Sequence, residues 1–241
     1  MWEPKNHMDM AMITDSNLLD LMTWLSPSFP VGGYVYSHGI EYAVEEDWIT
    51  GEQDLTGWIE AALTQGAGRI DGALFIAAWQ AVTAKDEERL KWAVERADVM
   101  RGTSEMALES AAQGQAFLDT VLQTRGFPAL KKIAADIKAD DRQVTYAIAV
   151  AIVAAVAQVP LQAALLAYFH AFTANLISAG VRLVPLGQIA GQRTQENLKP
   201  LIEQTAKTAI AGKFDELGTA APMIDWASMQ HETQYTRLFR S

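Results

Sequence analysis

His38, Glu41 and Glu45 are the densest local set of residues able to handle a metal or a proton. At i, i+3 and i+7 they share one face of a helix, where an imidazole and two carboxylates could ligate a borderline metal ion or pair an acid with a base. A metal centre needs more ligands at matched spacing. The four histidines, His7, His38, His170 and His231, are far apart in sequence, and there is no cysteine to supply a thiolate. The face therefore reads as solvated or capping. His170 sits among apolar residues and reads as a core histidine; His231-Glu232 fits either role. Ser37 beside His38 suggests a serine nucleophile, but adjacent residues on a helix diverge and no Gly-x-Ser-x-Gly elbow is present. Gly187-Gln188-Ile189-Ala190-Gly191-Gln192-Arg193 has glycine spacing without the lysine of a phosphate-binding loop. What remains is an interaction protein that uses no cofactor. The alternative is a small-molecule hydrolase or binding protein with a His38/Glu41 pocket.

The C-terminal stretch carries the chemistry of an interface. Met223, Ile224, Trp226, Met229, Tyr235, Leu238 and Phe239 make it too apolar for a frayed end. In a helix, Arg237 and Arg240 at i, i+3 would share one edge, and Tyr235 and Phe239 at i, i+4 another. Glu232, at i−5 from Arg237, lies off that face, and no other nearby acid complements both arginines. Residues 213–241 are expected to dock on a partner, tucking back onto the body being the other outcome.

The rest of the chain is organised around a loop, Ser26-Pro27-Ser28-Phe29-Pro30-Val31-Gly32-Gly33-Tyr34-Val35-Tyr36-Ser37-His38-Gly39-Ile40-Glu41. Two prolines and adjacent glycines interrupt helix there and give the backbone a defined shape. Ser-Phe-Pro-Val-Gly-Gly-Tyr followed by Tyr-Ser-His-Gly-Ile-Glu resembles the N-terminal signature of the UreF family. Arg182-Leu183-Val184-Pro185-Leu186-Gly187-Gln188 resembles its third marker, and residues 225–241 its C-terminus. The three lie in order and span the chain from about Leu18 to Ser241.

That resemblance implies an all-α, cytoplasmic homodimer that joins a UreD/UreH-type accessory protein, a UreG-type GTPase and apo-urease. GTP hydrolysis would then be coupled to nickel insertion and lysine carbamylation, with no nucleotide held by this chain. The residues expected to meet partners are Tyr36, Ser37, His38 and Glu41 of the first marker, Gln188 of the third, and Tyr235, Arg237, Phe239 and Arg240 of the tail. The sequence departs from the family pattern at Gln230, where an arginine is expected, and at Arg142-Gln143-Val144, where a histidine is expected.

Helical periodicity fills the space between these markers, and strand signals are nearly absent. Expected helix starts are Asp15 or Ser16, Ser37 (running to Trp48), a capping box at Thr50-Gly51-Glu52-Gln53, Asp71, Asp86, Thr103 or Ser104, and Pro128. Small residues at Ala107, Ala111, Gly114 and Ala116 invite close approach of another helix. Residues 144–159 are apolar almost all round but too short for a bilayer, so they read as a helix buried at the centre of the domain or against a second copy. Helices from Leu161 and near Ile189 follow. The expected architecture is an all-α, single-domain antiparallel bundle of about ten helices, with residues 1–14 flexible.

The 241 residues carry a net charge of −10, unevenly placed. Between Asn6 and Gly68 there is no Lys or Arg against ten acids; from Arg69 onward 18 basic and 18 acidic residues balance. Nucleic acid, which needs a basic face, is disfavoured; solubility or a basic partner surface fits. The N-terminus lacks the basic region and apolar run of a signal peptide.

Overall fold

The computed structural model describes residues 12–212, 214 and 217–241. The flexible start expected at residues 1–14 falls mainly outside them, as do His7 and tail residues 213, 215 and 216. Eleven α-helices and a 3-10 turn, Gly33–Val35, are present among the described residues, with no strand. The helices are α1 Asp15–Trp24, α2 Ile40–Glu45, α3 Glu52–Thr64, α4 Ala67–Ala84, α5 Glu87–Val99, α6 Ser104–Arg125, α7 Pro128–Ala139, α8 Tyr146–Val156, α9 Leu161–Leu183, α10 Gln188–Ala211 and α11 Pro222–His231. The expected all-α fold is the one observed.

Local chemistry accounts for most boundaries. Asp86 Oδ1 accepts the amide of Arg89 at 2.9 Å, and Thr103 Oγ1 that of Met106 at 3.2 Å, so α5 and α6 are capped as expected. The start of α1 moves back one residue, because Thr14 forms a reciprocal capping box with Asn17. The box expected at Thr50 does not form. Gly51 is the cap position, and Thr50 instead donates its amide and hydroxyl to Asp54 Oδ2 at 3.0 and 2.8 Å. Asp71 is no cap either. It lies inside α4, buried, and pairs with Arg101 at 2.7 Å while accepting the Tyr168 hydroxyl at 2.7 Å. Those charge-assisted bonds offset the desolvation of a buried carboxylate. Burial also holds the Tyr168 hydroxyl protonated, its pKa well above the ordinary tyrosine range.

The core forms around α8, where ten of eleven residues are buried. It packs against α4 and α6. Gly114 is what lets α6 approach: a Cβ there would lie 2.2 Å from the carbonyl oxygen of Val144. Trp79 Nε1 donates to Val159 O at 3.0 Å and ties α4 to the end of α8. α9 is long and apolar enough to cross a bilayer, but more than half of its apolar window is buried against other helices. Its Leu165 and Phe169 are fully enclosed, each contributing about 1.5–3 kcal/mol. This framework leaves the opening loop and the C-terminal tail to meet beside α2 and the first turns of α6.

Candidate functional site

The opening loop turns on three left-handed residues: Gly32 at φ 72°, His38 at φ 56° and Gly39 at φ 80°. Of the adjacent glycines only Gly32 takes positive φ; Gly33 is part of the 3-10 turn. Gly39 replaces Ser37 as the cap of α2, which is far shorter than the expected Ser37–Trp48. A Cβ at Gly39 would sit 3.3 Å from Ala227 Cβ and from the carbonyl oxygen of Ile224, so α11 rests directly on the loop. Ser37 is freed for another bond: its hydroxyl donates to the carbonyl of Ser241, and its amide donates to the same oxygen at 2.6 Å.

The tail is not helical after α11. Arg237 and Arg240 therefore do not share a helix edge, and the expectation built on i, i+3 spacing fails. Instead the chain is laid along α2 and α6. Glu41 accepts the backbone amides of Leu238 at 2.6 Å and Phe239 at 2.9 Å. The same carboxylate lies 3.0 Å from His231 Nε2, while His231 Nδ1 lies 2.8 Å from Glu105. Glu105 also accepts from Arg237 Nη1 at 2.9 Å, so the complement to that arginine comes from α6 rather than from nearby sequence. His231 is thereby held between two carboxylates, one at each ring nitrogen, and Glu105 is shared between His231 and Arg237. Further out, Glu45 accepts from Gln234 and Glu232 from Ser104.

The last residues close the clasp. Arg240 donates its amide to Val35 O at 2.8 Å, and Ser241 its hydroxyl to Glu109 at 2.9 Å. Phe239 is buried at 3% exposure. The guanidinium of Arg182, from α9, lies 3.7 Å from the Tyr34 ring centre and 4.2 Å from that of Phe239, and donates to Tyr34 O at 2.7 Å. One arginine thus stacks against both the loop and the tail.

The expected site residues divide by burial. Tyr36, Ser37, His38, Glu41 and Phe239 are buried. Burial pushes the Tyr36 hydroxyl up, with Arg240 pulling it down and Glu109 raising it. Tyr235, Arg237 and Arg240 are exposed, together with Leu238. Gln188 is exposed at the start of α10, and no hydrogen bond or ion pair among the described residues joins it to the tail. His38, Glu41 and Glu45 do not converge. His38 precedes the helix and faces Glu109 at 3.6 Å, Glu41 faces the tail, and Glu45 takes Gln234. No group of three metal-ligating side chains comes together among the described residues. His170 is exposed on α9 rather than enclosed in the core. His38 borders a cavity of about 40 Å³ lined also by Arg101, Tyr168 and Asn175, room for a few waters. Glu105 and Arg182 were not legible as members of this site; their partners are 132 and 148 residues away in the chain.

What the clasp can do follows from this arrangement. Its carboxylate groups are engaged with amides and cations rather than aimed at an open pocket. It presents a row of exposed apolar and arginine side chains on a backbone fixed at several points. The UreF family model matches residues 49–199. A urease accessory protein UreF of Granulibacter bethesdensis is 41% identical over 227 residues, covering 94% of this chain and 95% of the relative. That of Rhodopseudomonas palustris strain BisA53 is 44% identical over 224 residues, 93% of each. One from Bradyrhizobium diazoefficiens is 41% identical over 239 residues, 99% of this chain and 98% of the relative. With an all-α fold, a family match over most of the chain and relatives aligned almost end to end, the chain belongs to the UreF family of urease accessory proteins.

Proposed function

We propose that the chain bridges a UreD/UreH-type accessory protein and a UreG-type GTPase, and that the assembly couples GTP hydrolysis to maturation of the urease nickel centre. Nickel is cargo of that assembly and is not held by this subunit. The protein acts as a cytoplasmic homodimer and without catalysis of its own. The observation that carries the reading is the clasp: Glu41 fixes the tail backbone at Leu238 and Phe239, and Tyr235, Arg237, Leu238 and Arg240 stay exposed on it. Arginine and aromatic anchors on a rigid backbone are the residue types that dominate interface energies. The lack of a phosphate-binding loop in the sequence fits a protein that engages a GTPase rather than being one. The hydrolase reading loses its main support, because Glu41 is committed to the tail and His38 borders a cavity too small for most substrates.

Pull-down of UreD- and UreG-type proteins with this chain and with the last six residues removed tests the proposal. Capture by the full chain and loss on truncation, with the helical body intact by circular dichroism, is the expected result. Equal capture by both forms rules the tail out as the bridge.

A further inference from the structure

A second surface lies apart from the clasp. Trp48, Gly57, Trp58, Ala61, Gln65 and Met223 line a groove open to solvent, with a volume of about 420 Å³. Its walls come from Trp48 in the connection between α2 and α3, from α3 and from the start of α11. None of the clasp residues contributes to it. The apolar surface does not stop at the groove. Met223, Trp226 and Met229 step around the outer side of α11 at i, i+3 and i+6, and they are 52%, 50% and 45% exposed. Over that spacing α11 rises about 9 Å. A small molecule filling the groove would leave this stripe uncovered, whereas an elongated partner segment covers both.

The charge around the groove selects its occupant. Glu46 and Asp47 immediately precede Trp48, Asp54 lies one turn before Trp58, and Glu60 adjoins Ala61. All four are exposed, and none is in an ion pair among the described residues. Trp48 and the α3 wall belong to the stretch from Asn6 to Gly68, which contains no Lys or Arg. An apolar trough with acidic banks complements a helix with one apolar face flanked by lysine or arginine. We propose that this groove docks a basic amphipathic helix of a partner protein. The apolar face enters between Trp58 and Met223, and the flanking cations meet Glu46, Asp47, Asp54 and Glu60.

A fluorescein-labelled Leu/Lys amphipathic helical peptide, followed by anisotropy against the full chain, tests this. Gly57 is the position to plug: it is exposed, and a Cβ there meets nothing within 4 Å. Gly57→Trp should weaken binding at least tenfold, while Gly187→Trp, at another open position, should leave it unchanged. Met223→Lys provides a second block from the opposite wall. Asp54→Lys with Glu60→Lys should weaken binding and flatten its salt dependence. Equal affinity for the wild type and both blocked variants would mean diffuse charge holds the peptide, and would overturn the proposal. So would a chain that self-associates in sedimentation and becomes smaller with Gly57→Trp, since the groove would then belong to a second copy.

Discussion

The carboxylate of Glu41 accepts the amide hydrogen of Phe239 at 2.9 Å, across 198 positions of chain. One side chain of the opening loop region thereby sets the backbone of the C-terminal tail. Two segments that the sequence marks separately are one structural unit, and their substitution effects are expected to be coupled.

Glu41→Ala removes the acceptor for two tail amides and leaves His231 facing one carboxylate instead of two. Breaking a buried, hydrogen-bonded charge network is destabilising by about 3 kcal/mol. For a chain of this size that lowers the melting temperature by roughly 6–12 °C. Hydrogen exchange at Leu238 and Phe239 should accelerate, while exchange in α8 is affected only through global stability. Unchanged protection at those two amides would show that the tail is held without Glu41.

Gly39 separates backbone strain from side-chain loss. Its φ of 80° and its contact with α11 both oppose a Cβ. Gly39→Ala should cost about 1–2 kcal/mol. Gly33→Ala should cost less by thermal melting, since Gly33 is not in the left-handed region and its closest new neighbour is the flexible amide of Asn175 at 3.1 Å. The reverse ranking would place the strained turn at Gly33.

Asp225 gives a pH signature. Burial raises its carboxyl above the usual range, and the nearby His38 opposes this. The folded state then holds the proton to higher pH than the unfolded chain. Its favourable contribution is complete below the unfolded pKa and is lost as pH rises through the folded one. Asp225→Asn should therefore gain stability relative to the wild type as pH rises from the acid range to neutrality. A constant difference between the two melting curves across that range contradicts the assignment.

Much of this was legible locally. Apolar residues all around 144–159 specify a central helix wherever a core exists, and α8 is that helix. Asp86 and Thr103 cap as their side chains dictate, because a cap is decided within four residues. The apolar tail could be recognised as a segment that docks, and Phe239 does so within its own chain. Its conformation was not legible. Spacing arguments assume a helix, yet Glu41 takes the amides of Leu238 and Phe239 in a bent, non-helical path, and Arg237 finds Glu105 from α6. Such pairings are specified by tertiary packing, so no local pattern reveals them. Asp71 misled for a related reason: an aspartate before an apolar run looks like a cap unless its distant partners, Arg101 and Tyr168, are known.

The tail residues grouped by sequence should separate experimentally. Phe239 is enclosed and lies against Arg182, so Phe239→Ala should destabilise by about 3–5 kcal/mol and weaken any complex as a consequence. Arg240 is exposed, and its bond to Val35 comes from the backbone amide, which alanine retains. Arg240→Ala should therefore leave the melting temperature nearly unchanged. If its guanidinium meets a partner as proposed, complex formation should weaken by about 2 kcal/mol, close to thirtyfold in affinity. Melting and titration against the UreD-type partner on one preparation measure both quantities. A lower melting temperature with undiminished affinity would make Arg240 a brace for the clasp, and the docking surface would then have to be carried by Tyr235 and Leu238 without it.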